Sequence, residues 1–286
     1  MRIECRKSFT KLCSESSAVS GATLIIAIPL VHWRFLRSAA LDGPANMALD
    51  HALVDRARRT GDWVLRVYSW SSPVLSFGRN QRARALYDVH EIARRGIGVV
   101  RRPTGGRALL HHHEVTYSVT GPVTAGEGLG AAYERINALL VSALRSLGVA
   151  AEVALPRGRA STPDGVPCFS EPAAGEIVVD GRKLVGSAQW RENGALLQHG
   201  SIIVDDNQSM IPALMVAPPP YAPPPATLRE LLGHAPEPHA VADALFSSAR
   251  ALGDSVGDPL ADDELHALDV RSYTERYRDP SWTWRR

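Results

Sequence analysis

Two short turns, Asp180-Gly181 and Asn193-Gly194, divide residues 176–204 into three consecutive strand-like runs. Asp-Gly and Asn-Gly pairs favour the positive φ of tight hairpin connections, which holds the three runs to an antiparallel meander. Those runs, Glu176–Val179, Lys183–Trp190 and Ala195–Val204, are rich in Val, Ile and Leu. Further strands are expected over Trp63–Trp70, Pro73–Phe77, Ile97–Arg101 and Glu114–Val119. Helical spacing of Leu49, Ala52, Leu53 and Ala57 predicts a helix capped by Asn46, and Arg84–Arg95 predicts another, closed by Gly96. The clearest helix is Leu129–Leu147, with Ala132, Ile136, Leu139, Leu140 and Ala143 on one face and Gly148 ending it. The pattern predicts an α/β (α+β) fold with a central, mostly antiparallel mixed sheet flanked by helices.

The chain's 286 residues allow one large domain with a small appendage. Residues 1–31 are polar and basic before a short apolar run at Ala22–Val31, and are read as a disordered or mis-started extension. The main domain is placed at 32–235. After a proline-rich strap at Pro218–Pro225, helices at Ala226–Leu232, Ala240–Leu252 and Asp262–Tyr277 are expected, with 236–286 forming a C-terminal helical appendage.

A net charge of +2 argues against nucleic-acid binding, and no segment reaches transmembrane length. Local arginine clusters, including Arg94, Arg95, Arg101 and Arg102, suit either a solvated face or a docking surface for an acidic partner. The three cysteines, Cys5, Cys13 and Cys168, form neither a disulfide framework nor a metal motif, which fits a reducing cytoplasm.

Chemistry concentrates in three places. The first is Arg102-Pro103-Thr104-Gly105-Gly106, where paired glycines let backbone approach a ligand and flanking arginines suit a carboxylate or phosphate. Its spacing is not that of a P-loop, and a plain turn explains it equally. In the adjoining His111-His112-His113, alternate side chains of an extended segment point apart, so no metal site is expected and His111 is read as shaping a pocket floor. The second place is Cys168, in a loop of prolines and glycines. It is either an inert small hydrophobe or, if Lys183 stands near, a nucleophile whose thiolate the ammonium favours. The third is the run Gly186-Ser187-Ala188-Gln189, with His199-Gly200 across the turn, where small residues make room for a ligand or for close packing.

On these residues the chain resembles the biotin/lipoate protein ligase superfamily, and within it the octanoyltransferases of the lipoate-ligase-like type. The resemblance rests on RRPTGGRALLHHHEVTYSV (101–119), GRKLVGSAQWR (181–191) and LQHGSII (197–203), supported by NMALDHAL near Asn46 and ATLRELLG near Ala226. It implies that 32–235 is an acyltransferase catalytic domain, with Cys168 as thioester nucleophile and Lys183 lowering its pKa and orienting the acyl carbonyl. Arg102, Thr104, Gly105, Gly106, His111, Gly186, Ser187, Ala188, Gln189, His199 and Gly200 would then bind substrate. The implied reaction moves octanoyl from acyl carrier protein to the lysine of a lipoyl domain or the glycine-cleavage H protein, with no cofactor. Transfer between lipoyl domains, ATP-dependent ligation indifferent to Cys168, and a non-catalytic binding module are the alternatives. Two departures stand out: Gly105-Gly106-Arg107 replaces a triple glycine, and His111-His112 replaces a His-Asp pair.

Overall fold

A computed structural model describes residues 32–123, 128–155, 169, 175–219, 223–253 and 257–286. In chain order the elements are β1 (Trp33–Arg37), α1 (Gly43–Thr60), β2 (Trp63–Tyr68), β3 (Val74–Phe77), α2 (Val89–Arg94), β4 (Gly98–Arg101), β5 (Leu109–His111), β6 (Glu114–Pro122) and α3 (Leu129–Ser146). They continue with β7 (Glu152–Val153), β8 (Ile177–Val179), β9 (Arg182–Glu192), β10 (Ala195–Ile203), a 3-10 helix (Gln208–Leu214), α4 (Leu228–Leu232) and α5 (Pro238–Leu252). The last elements are β11 (Asp258–Pro259), α6 (Asp262–His266), α7 (Val270–Arg278) and α8 (Pro280–Thr283). Among the described residues no helix is long and apolar enough to cross a membrane.

The meander is present: β8, β9 and β10 run antiparallel, and Asp180 and Asn193 hold φ of 49° and 47° at their turns. They belong to an eight-stranded sheet in the order β11-β1-β2-β6-β10-β9-β8-β7, in which β1 is parallel to both neighbours and the other pairs are antiparallel. A second sheet, β4-β3-β5, is three-stranded. Alternation along the strands gives the large sheet two different faces. On one, Leu65, Val67, Tyr117, Val119 and Ile202 join Ile136, Leu139, Leu140 and Ala143 of α3 and Val241 and Leu245 of α5 in the main core. On the other, polar side chains of β2, β6 and β10 meet α1.

Three elements depart from the sequence reading. Helix α1 starts earlier, at Gly43: Asp42 caps it by accepting from the Ala45 amide at 2.8 Å, and Pro44 fits the first turn. Asn46 lies buried inside the helix, its amide donating to the Leu41 and Ser69 carbonyls. Helix α2 is shorter than 84–95, because Asp88 caps it at His90 and Glu91 while the amides of Ala83 and Arg84 donate to the Arg286 carbonyl. The expected helix 262–277 is two, with Asp269 capping the second through Ser272.

Residues 236–286 also reach well into the main body. Strand β11 pairs with β1, and Tyr277 of α7 is buried with its hydroxyl 2.9 Å from His51 Nδ1 on α1. Trp282 donates its indole N–H to the Arg101 carbonyl, and Arg101 donates back to the Thr283 carbonyl, each at 2.8 Å.

Candidate active site

Lys183 enters β9 beside an irregularity in the β8–β9 register at Ile177/Val178. Leu184 and Val185 both join the main core, while Lys183 and Gly186 meet each other. The Lys183 ammonium is buried, with Nζ 2.5 Å from Glu176 Oε1 and 4.6 Å from the centre of the Phe169 ring. A buried ammonium is expensive unless paired, and here it has both a carboxylate and an aromatic face. Gly186 leaves room for this packing: a Cβ there would lie 2.9 Å from Lys183 Cε and 3.0 Å from Phe169 Cζ, so both side chains would have to shift. Phe169 itself packs with Leu109 and Ile203. It is the residue bonded to Cys168, which lies outside the described residues.

The Gly-Gly turn is built by arginines that face inward. Arg102 donates to the Ser76 carbonyl and hydroxyl at 3.0 Å, to the Gly105 carbonyl at 3.0 Å and to the Arg107 carbonyl at 2.7 Å. Arg101 is wholly buried and bonds the Gly78 and Gln81 carbonyls at 2.6 and 2.8 Å. Burial first, and then the charges of Arg285, Arg102 and Arg286, bring the Arg101 pKa down to about 10. Both side chains therefore act as backbone clamps. Gly105 and Gly106 are exposed, and Gly106 takes φ 92°, a conformation that suits glycine.

Thr104 ties that turn to the large sheet, with Oγ1 2.7 Å from His199 Nε2. His199 Nδ1 lies 3.2 Å from Asp50 Oδ2. Asp50 is fully buried on α1, and also accepts from Arg66 at 2.6 Å, Ser118 at 2.7 Å and Tyr68 at 3.0 Å. Burial opposes its charge, but Arg66 and the bonds from His199 and Ser118 hold its carboxyl below the usual range. Burial also lowers the His199 pKa, against the pull of Asp50. The consistent assignment is a neutral imidazole donating from Nδ1 to the Asp50 carboxylate and accepting the Thr104 hydroxyl at Nε2. A buried Asp50–His199–Thr104 chain thus ends at the exposed turn.

His111 occupies a second buried network: Nε2 is 2.8 Å from Ser76 Oγ, Nδ1 is 2.8 Å from Glu114 Oε1, and the ring stacks on Trp70 at 3.9 Å. His112 and His113 are exposed and stack on one another instead. Among the described residues no group of His, Cys, Asp and Glu gathers as a metal site would require.

The remaining site residues fall on two faces. Gly186 and Ala188 pair across the strands with Ser201 and His199, on the side of Thr104 and α1. Ser187 and Gln189 pair with Gly200 and Gln198, on the side of α3. There Ser187 Oγ is 2.7 Å from the Tyr117 hydroxyl, which also accepts from Gln198 at 3.2 Å. Gly200 is needed for packing, since a Cβ would collide with the Gly186 carbonyl oxygen and lie 2.8 Å from Tyr117 Cε1. Asp50, Arg66, Glu114 and Glu176 complete these networks and were not singled out in the sequence reading. Of these, Asp50 and Glu114 had a signal, their places in the NMALDHAL block and in the 101–119 block.

The features that carry the resemblance thus share one mixed sheet: Lys183 is buried at the start of β9, and the Gly-Gly turn is tied to β10 through Thr104 and His199. Residues 42–249 match the family model of the lipoyl protein ligase A/B catalytic domain, and the chain belongs to that family. It is 39% identical to the octanoyltransferase LipM of Kyrpidia tusciae over 254 residues, covering 84% of this chain and 88% of that one. It is 40% identical to LipM of Moorella thermoacetica over 197 residues, covering 67% and 72%. These relatives make it an acyltransferase. Among solved structures, a lipoate-protein ligase A bound with ATP superposes with a TM-score of 0.73 at 21% identity, covering 89% of this chain and 99% of that one. The putative lipoate protein ligase Ta0514 of T. acidophilum with bound lipoic acid gives 0.70 at 20% identity, covering 89% and 100%. Both establish a shared fold.

Proposed function

We infer that this protein is an octanoyltransferase of lipoate biosynthesis, carrying octanoyl from an acyl-carrier-protein thioester to the lysine of a lipoyl domain or H protein through Cys168. The observation that carries this reading is the anchoring of Phe169, the neighbour bonded to Cys168, against the buried Lys183 ammonium and Gly186. The LipM relatives support the acyl group, since their name is that of octanoyltransferases.

In the first step the Cys168 thiolate attacks the donor thioester carbonyl. A tetrahedral oxyanion forms and collapses, breaking the donor C–S bond and releasing the carrier thiol, which takes up a proton. In the second, the neutral target amine attacks the acyl-cysteine. The C–N bond forms, the Cys168 C–S bond breaks, and the ammonium proton is lost as the thiolate returns. The acyl group arrives activated, so neither step needs ATP. Lys183 favours the thiolate and the oxyanion electrostatically, with Glu176 balancing its charge between turnovers. Thr104, held by His199, fixes the Gly-Gly turn against the sheet.

The test is intact-protein mass spectrometry of the chain mixed with octanoyl carrier protein without ATP, beside Cys168→Ala. A hydroxylamine-labile octanoyl adduct on the wild type and none on the variant is the expected result. Lipoylation that needs ATP and free acid, and survives loss of Cys168, would overturn the reading.

A further inference from the structure

Several of the described arginines are neutralised in place by carboxylates. Arg94 and Arg95 close on Glu91, Arg56 on Asp62 and Glu264, Arg37 on Asp243, Arg229 on Asp205 and Arg278 on Asp42. In the Arg94 and Arg102 region, a candidate docking face in the sequence, Arg94 is paired with Glu91 and the Arg102 guanidinium is turned into the Gly-Gly turn.

One rim differs. The Arg79 amide donates to the Thr104 carbonyl at 2.8 Å, which seats Arg79 beside the Gly-Gly turn. Arg285 donates to the Arg79 carbonyl at 2.6 Å. Arg276 and Arg285 each hold their guanidinium 4.1 Å from the centre of the Trp282 ring. The Arg286 carbonyl is fixed by the amides of Ala83 and Arg84. Arg276, Arg285 and Arg286 are exposed, and among the described residues no carboxylate pairs with them or with Arg79. Burial, followed by the charges of Arg79, Arg286 and Arg276, lowers the Arg285 pKa, as expected where like charges are held close. Such an arrangement works against the isolated chain, so a counter-charge from outside would complete it. The rim also adjoins the site directly, because the Arg79 guanidinium lies 5.8 Å from the ring of Trp190 on β9, two residues beyond Ala188.

We propose that the rim formed by Arg79, Arg276, Arg285 and Arg286 around Trp282 is the docking surface for the acyl donor, an acidic protein presenting octanoyl on a phosphopantetheine arm. This rests on the thioester-donor reading above. Carboxylates of the donor meet the outer guanidiniums, and the arm's phosphodiester meets Arg79 and Arg285, whose planar forks suit phosphate.

The test compares two donors on the full chain: octanoyl-acyl-carrier protein, and octanoyl-pantetheine, which lacks both the protein and the phosphate. The charge reversal Arg276→Glu/Arg285→Glu is expected to lower kcat/KM for the carrier-protein donor about tenfold or more, and to leave octanoyl-pantetheine within about twofold. Arg276→Lys, which keeps the charge that meets a donor carboxylate, retains carrier-protein activity. With an active wild type, an unchanged carrier-protein rate in the reversal variant overturns the docking surface alone. So does an equal loss with both donors, or a loss confined to transfer onto the lipoyl domain. A wild type inert toward both thioesters overturns the thioester reading and this surface with it.

Discussion

Asp50→Asn tests how far the site depends on its buried charges. Asp50 and Arg66 are both wholly buried, 2.6 Å apart, and the carboxylate also takes bonds from Ser118, Tyr68 and His199. An asparagine there presents one acceptor and an NH2 group to an environment made of donors, and leaves the Arg66 charge without its partner. Breaking one side of a buried pair removes about 3–5 kcal/mol. At about 2–4 °C per kcal/mol for chains somewhat shorter than this one, the melting temperature falls by roughly 6–20 °C. The control is Asp243→Asn, which breaks the Arg37–Asp243 pair, whose side chains are 47% and 64% exposed. An exposed pair contributes about 0–1 kcal/mol, so this variant melts close to the wild type. Thermal unfolding of the three proteins by circular dichroism at pH 7.5 is the assay. An Asp50→Asn protein melting within about 2 °C of the wild type would refute the view that the Asp50–Arg66 pair is an essential buried link.

Acid sensitivity follows from His51, whose pKa is lowered to about 4 by burial first and then by Arg276, Arg58 and Arg79. As pH falls below 6.5 the unfolded chain binds this proton and the folded one does not, so stability drops between pH 6.5 and 4. At about 1.4 kcal/mol per unit the loss reaches roughly 3 kcal/mol, and His51→Gln should flatten that limb of a stability–pH curve measured by urea unfolding. Gly200→Ala, whose Cβ would meet the Gly186 backbone, should destabilise by about 3 kcal/mol, read as a lowered urea midpoint. Gly186→Ala meets only side-chain atoms of Lys183 and Phe169, so it should unfold within about 2 kcal/mol of the wild type yet acylate markedly more slowly. Lys183→Met should slow formation of the octanoyl-enzyme about 100-fold or more in single-turnover mass spectrometry, and raise the pH at which Cys168 reacts with iodoacetamide.

The sheet was legible because its signals are local. The Asp180-Gly181 and Asn193-Gly194 turns and the Val and Ile runs between them depend only on neighbours, and they fall where the pattern placed them. Helix α3 was equally plain from its apolar stripe and Gly148, which takes φ 91°. What the sequence hid was tertiary. Asn46 resembles a cap, yet Asp42 and Pro44 start the helix earlier and free Asn46 to bond Leu41 and Ser69. Helix α2 is cut short by Arg286, far along the chain. Arg102 reads in the sequence as an anion grip, and the carbonyls of Ser76, Gly105 and Arg107 to which it donates come from segments that no spacing rule brings together. The Asp50–His199–Thr104 chain joins a helix, a strand and a turn that no spacing rule connects.

The most direct test of the central claim is a chase of the acyl-enzyme. Octanoyl-enzyme, freed of donor by desalting, is mixed with an apo lipoyl domain without ATP, and both proteins are followed by intact mass in quenched samples. The thioester account predicts that octanoyl leaves Cys168 and appears on the lipoyl-domain lysine in equal amount, at least as fast as steady-state turnover. An adduct that persists in the presence of the acceptor, or moves only when ATP is added, would contradict it.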